Sequence, residues 1–375
     1  MTEKLIVVDS NHPLVRQNRC FNPVHEFTGC GHAINVRLAL EAKRRGMDVA
    51  TADVYLAMSN RPAQAVCLTD MVTPFSDKLL SKGVRPAICM SLESPLNARR
   101  FYHNIVRYAG RFHHNFQFRG THERLDSTGT IFHPIVFPVE TRIPLPPQDW
   151  EKRGFLILIN SNKRAVYRNW SSPKSIARSI ISQIYSWTLH SDPWMRIHEI
   201  YKDRIEAIYY FSNCIDFHLY GIDWDQPIQG FGPDYHQAVL KVYRGIIPAD
   251  LQRKREVMSD FKFAICFENC AFPGYVTEKV FDCFLAGCIP VYFGAPDITD
   301  FIPKESFIDF REFGNYVELE RFLRDMSELD FLKYVDAARD FLASSEFEKF
   351  TVDYFVNDIL NVIGQEFNSQ GEKQK

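Results

Sequence analysis

The chain has 375 residues, and 46% of them are hydrophobic, so it holds apolar material for more than one core and two domains are expected. Its formal net charge of -2 at pH 7 argues against nucleic acid as a partner, because proteins that bind a phosphate backbone are usually basic. No apolar stretch approaches the roughly 20 residues that a membrane-spanning helix needs.

The N-terminal sequence MTEKLIVVDSNHP has an apolar run too short for a signal peptide and predicts a strand. The nine cysteines are an odd number without metal-ligand spacing, and several lie in apolar runs where they act as small core residues. A reduced, cytoplasmic compartment is the simplest interpretation.

The first half of the chain predicts alternating strands and helices. A strand at residues 5–8, a helix at 32–45 and a strand at 48–55 give a βαβ rhythm. Further strands are predicted at residues 65–68, 86–92 and 112–118.

Two polar features of this half are weak indications of a site. The sequence GCGH at residues 29–32 lies well after the first strand, whereas a dinucleotide fingerprint requires an immediate turn, so a flexible loop is favoured. His113 and His114 are adjacent, so on a strand they would point to opposite faces and could not chelate one metal together.

The segment 133–150, HPIVFPVETRIPLPPQDW, is rich in proline and lacks a helical period, which predicts an interdomain linker. The second half resumes the rhythm with a strand at 155–159, a helix at 194–213 and a strand at 215–220. Residues 316–363 look largely helical, and the polar end, residues 364–375, is expected to be disordered.

The most informative segment is 263–294, which predicts a strand, a polar loop, a capped helix and a second strand. Its first apolar run ends abruptly in Glu268 and Asn269, as a strand buried on both faces does at its carboxyl end. Thr277 is the predicted N-cap of the helix, and Gly287 stands where the helix should stop.

Ligands of open α/β sheets bind outside the carboxyl ends of the strands, and a helix N-terminus offers backbone amides to an anion. The side chains expected at that edge are Glu268, Asn269, Tyr275, Glu278 and Lys279. A cation such as Lys279 opposes the helix dipole in the first turn, so its position favours a phosphate between them.

The strings FEN, YVTEK and AGCIPVYFGAP between residues 267 and 296 resemble the donor-site signature of glycosyltransferase family 10, the α-1,3/4-fucosyltransferases. The resemblance implies an α/β protein of the GT-B fold, with two Rossmann-like domains facing a central cleft. The domains expected are residues 1–150 on the acceptor side, residues 151–345 for the GDP-sugar donor, and a C-terminal helix with a polar tail, 346–375, that packs back on the first domain.

Glu93 in PAICMSLESP is the expected catalytic base. An apolar strand runs into this carboxylate, and Pro95 ends the strand so that the carboxylate stays at the sheet edge. Animal fucosyltransferases have a similar Glu-Ser-Pro, and the resemblance implies that Glu93 deprotonates the acceptor hydroxyl.

The diphosphate needs positive charge, for which Lys279 is joined by an arginine. In the family that arginine follows a Ser-Asn pair, here Ser161 and Asn162. Arg164 is the nearest candidate and Arg204, on a predicted helix, is the preferred one; both stay open.

The resemblance also implies contacts from Glu278 to the ribose, from Tyr275 near the phosphates or fucose, and from Asn269 at the strand end. The remaining predicted donor-binding residues are Glu268, Thr277, Tyr243 and Arg244. Asp223 and Asp225 form the Asp-X-Asp of metal-dependent transferases, but their Gly- and Trp-containing turn favours a loop feature. No metal or cofactor is expected to be held by the protein, and a divalent ion would at most stimulate the reaction.

The function expected is inverting transfer of L-fucose from GDP-fucose to a hydroxyl, O3 of N-acetylglucosamine or glucose, of an oligosaccharide or glycolipid acceptor in glycan or lipopolysaccharide synthesis. The resemblance is to a bacterial-type member without a membrane anchor, placed in the cytoplasm or peripherally at the inner membrane face. The alternatives are transfer of another GDP-linked sugar, a non-catalytic sugar- or nucleotide-binding protein and, more distantly, an NAD-dependent oxidoreductase.

Overall fold

A computed structural model describes residues 3–10, 12–24, 30–140, 144–145, 149–162, 198–228, 230–248 and 250–372, with short pieces between 173 and 184. The chain divides into two compact units, which are described separately. Unit 1 comprises Met1–Thr141 and Glu348–Lys375, and unit 2 comprises Arg142–Phe347.

Unit 1 is built on a six-stranded parallel sheet in the order β2-β1-β3-β4-β5-β6. The strands are β1 Lys4–Ser10, β2 Asp48–Thr51, β3 Gln64–Asp70, β4 Arg85–Met90, β5 His114–Gln117 and β6 Ile131–Pro134. Strand β1 is apolar from Leu5 to Val8, with Ile6 and Val7 fully buried, because a parallel strand inside the sheet is covered on both faces.

The helices of this unit connect the strands and include the end of the chain. They are α1 Cys30–Arg44, α2 Ala52–Ala57, α3 Pro74–Ser81, α4 Arg99–His103, α5 Ile105–Ala109 and α6 His122–Asp126, with the C-terminal helix, Val352–Glu372, numbered α14 below. The strand predicted at 48–55 is therefore wrong beyond Thr51. Ala52 and Tyr55 are buried at a helical spacing of three, which a short period-two pattern could not distinguish.

The disorder expected for residues 364–375 is also wrong as far as Glu372, where α14 ends, and residues 373–375 lie outside the described residues. Glu366 and Phe367 are buried, and the Glu366 carboxylate pairs with Arg85 at 2.5 Å. A buried ion pair formed by residues far apart in sequence leaves no local pattern, so composition alone suggested a solvated tail.

The expectation that His113 and His114 point to opposite faces is also wrong. His113 Nδ1 lies 3.1 Å and His114 Nε2 lies 3.2 Å from the two oxygens of the Glu366 carboxylate. His113 precedes β5, so strand alternation does not apply to it.

Unit 2 is built on a five-stranded parallel sheet in the order β13-β12-β10-β7-β9, with a separate antiparallel pair of β8 and β11. The strands are β7 Gly154–Ile159, β8 His198–Glu199, β9 Phe217–Tyr220, β10 Phe261–Phe267, β11 Cys270–Ala271, β12 Ile289–Phe293 and β13 Ile308–Asp309. Leu156, Leu219 and Phe263 on these strands form part of one apolar core.

The first helices of unit 2 alternate with its strands, and the later ones follow the last strand. They are numbered α7 to α13, before the C-terminal helix α14. They are α7 Tyr201–Phe211, α8 Pro233–Val242, α9 Leu251–Ser259, α10 Glu278–Ala286, α11 Tyr316–Asp325, α12 Glu328–Leu342 and α13 Ser345–Glu348, which ends at the unit boundary. The helix predicted at 194–213 begins only at Tyr201, after the short strand β8; residues 194–197 lie outside the described residues. In the part of the chain that the structure describes, no helix combines the length and apolarity of a membrane span.

Candidate functional site

The candidate site of unit 2 lies at the carboxyl ends of β7, β9 and β10. The first strand, β7, has β10 on one side and β9 on the other, so the chain changes direction across the sheet at this point. Such a topological switch leaves a crevice outside the strand ends where ligands of α/β proteins bind.

Helix α10 begins at this edge and ends as predicted. Thr277 occupies the N-cap position and Gly287 adopts the left-handed conformation at the C-cap, with a φ of 64°. The Thr277 side chain does not cap the helix. Its hydroxyl instead donates to the Glu268 carboxylate at 2.9 Å, so the threonine joins the helix to the end of β10.

Glu268 is placed differently from the expectation that it faces a ligand. Its side chain is fully buried, and its carboxylate accepts hydrogen bonds from the Thr277 backbone N–H at 2.8 Å and from Lys279 Nζ at 2.9 Å. The next strand ends against it, since a Cβ added to Gly294 would lie 2.6 Å from Glu268 Cγ. Glu268 is therefore directed at Thr277 and Lys279, which it positions, and its direct contact with a donor stays a prediction.

Lys279 and Glu278 are the charged residues of the first turn of α10. Burial alone would lower the pKa of Lys279, but the charges of Glu268 and Glu278 outweigh it and raise the pKa, so the amine is protonated. The pKa of Glu278 is lowered, because the charges of Lys279 and Lys254 outweigh the effect of burial. The Glu278 side chain remains 35% exposed, so its carboxylate is open to a hydroxyl-bearing ligand.

Arg204 lies on α7 and reaches the end of β10, although only 2% of the residue is exposed. Its Nη2 donates to the Phe267 carbonyl at 2.6 Å and to Asn269 Oδ1 at 3.0 Å. Its Nη1 is buried and has no partner among the residues that the structure describes. Burial lowers the pKa of Arg204, so an anion would compensate this charge.

Asn269 and Tyr275 are linked to the same arginine. Asn269 Nδ2 donates to the Tyr275 hydroxyl at 3.3 Å, and Tyr275 itself is buried. The two-stranded ribbon of β8 and β11 holds the start of α7 against this loop, with Cys270 opposite Glu199. Sequence reasoning missed this ribbon, since strands of two residues carry no detectable period.

Ser161 and Asn162 follow β7 at the same edge of the sheet. Asn162 Nδ2 donates to the Asp223 carbonyl at 2.9 Å, while its Oδ1 is buried and unpartnered among the described residues. Gly221, with a φ of 144°, lets this turn approach the Asn160 carbonyl more closely than any side chain would allow. Arg164 lies outside the described residues.

Tyr243 and Arg244 lie beside β9. The Tyr243 hydroxyl donates to the Gly221 carbonyl at 2.9 Å, and the Arg244 side chain is exposed. Asp223 and Asp225 are exposed in a turn around the buried Trp224. No cluster of three or more His, Cys, Asp or Glu side chains is placed to hold a metal ion within the described ranges.

Glu93 belongs to unit 1 and follows β4, as predicted. The carboxylate is half-buried and oriented by two donors, the Ser94 backbone N–H at 2.8 Å and Asn97 Nδ2 at 2.9 Å, both to Oε1. The Tyr102 hydroxyl donates to the Glu93 carbonyl at 2.9 Å. The loop therefore holds one carboxylate oxygen of Glu93 in place after the end of β4.

The part of the chain that contains most of α7 and all of β10 and α10 is similar to a known protein family. Residues 203–354 match the family model described as glycosyltransferase family 10 (fucosyltransferase), C-terminal. The matched segment is similar to this family and covers less than half of the chain.

Curated proteins that are similar to part of the chain carry fucosyltransferase names. The chain is 37% identical over 93 residues to the α-(1,3)-fucosyltransferase FucT of Helicobacter pylori, a match that covers 24% of this chain and 17% of that protein. It is 29% identical over 142 residues to the 4-galactosyl-N-acetylglucosaminide 3-α-L-fucosyltransferase 9 of Mus musculus, covering 37% of this chain and 34% of that protein. The matched stretches thus span well under two thirds of either relative.

The likeness in fold extends beyond residues 203–354. HepE of Anabaena, solved in complex with UDP and glucose, aligns with a TM-score of 0.52 and 11% identity over 98% of this chain and 99% of its own. At this identity the likeness shows the fold alone, and it confirms the predicted GT-B class.

Proposed function

We propose that the protein is an inverting fucosyltransferase that moves L-fucose from GDP-fucose to a hydroxyl group of an acceptor saccharide. The names of the matched relatives support the reaction, and the family 10 match includes Arg204, Glu278 and Lys279. The acceptor hydroxyl would be O3 of N-acetylglucosamine or glucose, on an oligosaccharide or glycolipid of glycan or lipopolysaccharide synthesis.

The observation that carries this proposal is the cationic site around Arg204. A buried guanidinium nitrogen without a partner in the described residues and a protonated Lys279 lie at the strand edge where α10 begins. Hydrogen bonds to a charged group contribute about 1.5 to 3 kcal/mol each. A nucleoside diphosphate would supply the compensating negative charge, and the Glu278 carboxylate would accept hydrogen bonds from ribose hydroxyls.

In the proposed reaction the acceptor oxygen attacks the anomeric carbon of fucose. The Glu93 carboxylate takes the proton from the acceptor hydroxyl as the new C–O bond forms. The bond between the anomeric carbon and the diphosphate oxygen breaks, and its electron pair leaves with GDP. Arg204 and Lys279 stabilise the charge that develops on the leaving group, and attack from the opposite side inverts the configuration.

We propose further that no bound metal ion is required, because two cationic side chains take the place that a divalent ion would occupy beside the diphosphate. Initial rates of transfer should then change by less than about twofold when EDTA is added. A requirement for added Mg²⁺ or Mn²⁺ would contradict this part of the proposal.

The buried free cysteines support a reducing, cytoplasmic compartment. Acceptors presented at the inner face of a membrane would suit such a location.

The test of the function is product analysis. Purified protein is incubated with N-acetyllactosamine and either GDP-fucose or GDP-mannose, and the products are examined by NMR. The proposal expects an α-linked fucosyl product from GDP-fucose and little transfer from GDP-mannose. Preferential transfer of mannose would show a different donor, and tight GDP-fucose binding without transfer to any acceptor would favour a binding protein.

A further inference from the structure

A small cavity lies in unit 1. Its volume is about 170 Å³. Its walls come from the carboxyl ends of three strands and from the helices α1 and α14, and include Ser10, Asp70, Leu92, Ile34, Asn35 and Ile359.

The position of the cavity is the topological switch of this sheet. After β1 the chain forms β2 on one side and then crosses to form β3 on the other. Ser10 and Asp70 are the last residues of β1 and β3 and are paired across the sheet. A crevice at such a place is where an α/β sheet accepts a ligand.

The size of the cavity restricts the ligand. At about 30 Å³ for each water molecule of the liquid, about 170 Å³ holds roughly five or six waters, or one six-membered sugar ring. Drug-sized ligands occupy about 300 to 1,000 Å³, so a nucleotide does not fit.

The lining of the cavity restricts the ligand further. Apolar walls are combined with four polar side chains, Ser10, His12, Asn35 and Asp70. None of the described lining residues is lysine or arginine, so an anionic ligand has no counter-charge. A pyranose, with apolar ring faces and hydroxyl edges, matches this mixture.

Asp70 is the polar group best placed to bind such a ring. Its carboxylate accepts a long hydrogen bond of 3.4 Å from Ser10 Oγ, and the residue keeps partial solvent exposure. The neighbouring Asp9 is instead occupied by its own donors, among them Thr73 Oγ1 at 2.8 Å. Asp70 therefore has acceptor capacity to offer a ligand hydroxyl.

We propose that this cavity binds the ring of the acceptor sugar, with a ring hydroxyl donating a hydrogen bond to the Asp70 carboxylate; this inference rests on the proposed transferase function. Leu92, one residue before the proposed base Glu93, forms part of the wall. A sugar held here would thus lie beside the loop that carries the base.

The proposal has a pH signature. Burial, together with the charges of Glu93 and Asp9, raises the pKa of Asp70 to about 7. The other titratable group of the lining is His12, while α1 and α14 contribute the uncharged Asn35 and Ile359. A hydroxyl donor prefers the ionised carboxylate, so the affinity for the sugar rises as the pH passes through this value and binding releases a proton.

The test is calorimetric titration of the full chain with N-acetyllactosamine, without donor, at pH 6 and pH 8. The ionised fraction of Asp70 rises about tenfold between these values, so wild-type affinity should rise about tenfold as well. Asp70→Asn should bind more weakly at pH 8 and lose this pH dependence. Ser10→Val, which replaces the hydroxyl by a methyl group and narrows the cavity, should also weaken binding, whereas the exposed control Asp126→Asn should behave as wild type.

Absence of wild-type binding, or equal binding by wild type and Asp70→Asn at both pH values, would overturn the assignment. Kinetics separate this result from the transferase proposal. Fucosyl transfer with an acceptor KM unchanged by Asp70→Asn would remove the cavity assignment and leave the function. Binding that depends on Asp70, in a protein that never transfers fucose, would support the cavity and remove the function.

Discussion

At the scale of single residues, Arg204 shows why a guanidinium is needed at the end of β10. One side of its fork donates to the Phe267 carbonyl and to Asn269, and Nη1 remains for a ligand. Lysine could supply the charge but not the planar set of donors. The residue therefore organises the strand end and, in the proposed function, stabilises the diphosphate.

Arg204→Lys should weaken GDP binding by about tenfold or more, because at least one hydrogen bond to a charged group, worth about 1.5 to 3 kcal/mol, is lost. Isothermal titration calorimetry with GDP measures this change. Arg253→Lys is the matched control, since Arg253 is 59% exposed and pairs with Glu256 on α9. Equal loss of affinity in both variants, or none in Arg204→Lys, would contradict the assigned contact.

Asp70 makes a prediction about stability that needs no ligand. Its pKa is raised from 3.8 to about 7, so the folded state binds more protons than the unfolded state between these values, and the free energy of unfolding falls as the pH rises. Asp70→Asn removes this ionisation and should be more stable than wild type by about 1 to 3 kcal/mol at pH 8, with little difference near pH 4. Urea denaturation at several pH values measures the difference, and a constant difference at all pH values would contradict the shift.

At the scale of elements, the site of unit 2 depends on close packing between β12, β10 and α10. Gly294 follows β12, and an added Cβ would meet both the Glu268 side chain and the Tyr292 hydroxyl. Glu268 in turn holds Thr277 and Lys279. The glycine thus permits the approach that places the cation at the start of α10.

Gly294→Ala should lower the free energy of unfolding by about 1 to 3 kcal/mol, the usual cost of overpacking. It should also weaken GDP binding, because Lys279 moves with Glu268. Gly364→Ala on α14 is the matched control, since nothing lies within 4 Å of the added Cβ and alanine favours a helix by roughly 0.5 to 1 kcal/mol. Guanidinium denaturation should therefore shift in opposite directions for the two variants.

The C-terminal helix α14 gives a second prediction at this scale. His114 donates from Nε2 to Glu366, so its Nδ1 accepts from His133 Nε2 at 3.0 Å. Burial lowers the pKa of both histidines below 6.5. The folded state then binds fewer protons than the unfolded state, so this stability is present above about pH 6.5 and is lost as the pH falls through the lowered values.

Replacing one member of this pair should reduce the acid sensitivity of unit 1. His133→Asn is expected to show a smaller fall in thermal midpoint between pH 7.5 and pH 5 than wild type. His122→Asn is the control, because the His122 side chain is 54% exposed. This variant should show the same pH dependence of the thermal midpoint as wild type. If His133→Asn had the same pH dependence of the thermal midpoint as wild type, these histidines would not be a cause of the acid sensitivity of unit 1.

At the scale of the whole molecule, the sequence predicted the alternating elements and the donor-site unit well, because continuous apolar strands and a capped helix leave local patterns. The strand of β10, the helix α10 and its stop at Gly287 all follow from such patterns. The inward orientation of Glu268 and the burial of Glu366 could not be predicted, since each depends on partners brought together only by the fold. The pairing of β8 with β11 could not be predicted, because strands of two residues have no detectable period.

The same contrast applies to the proposed catalytic and binding residues. Glu93 and Lys279 follow from short sequence strings and lie where those strings place them, at a strand end and in the first turn of a helix. Asp70 has no such string around it. It stands out only when the topology brings the ends of β1 and β3 to one cavity.

The measurement that tests the central claim most directly is GDP release from GDP-fucose with and without N-acetyllactosamine, for wild type and Glu93→Gln. The account predicts acceptor-stimulated release by wild type and at least about a hundredfold slower release by Glu93→Gln, the typical contribution of a general base. GDP binding should be unchanged in that variant. Equal acceptor-stimulated release by both proteins would contradict Glu93 as the base, and failure of wild type to bind GDP-fucose would contradict the proposed fucosyltransferase function.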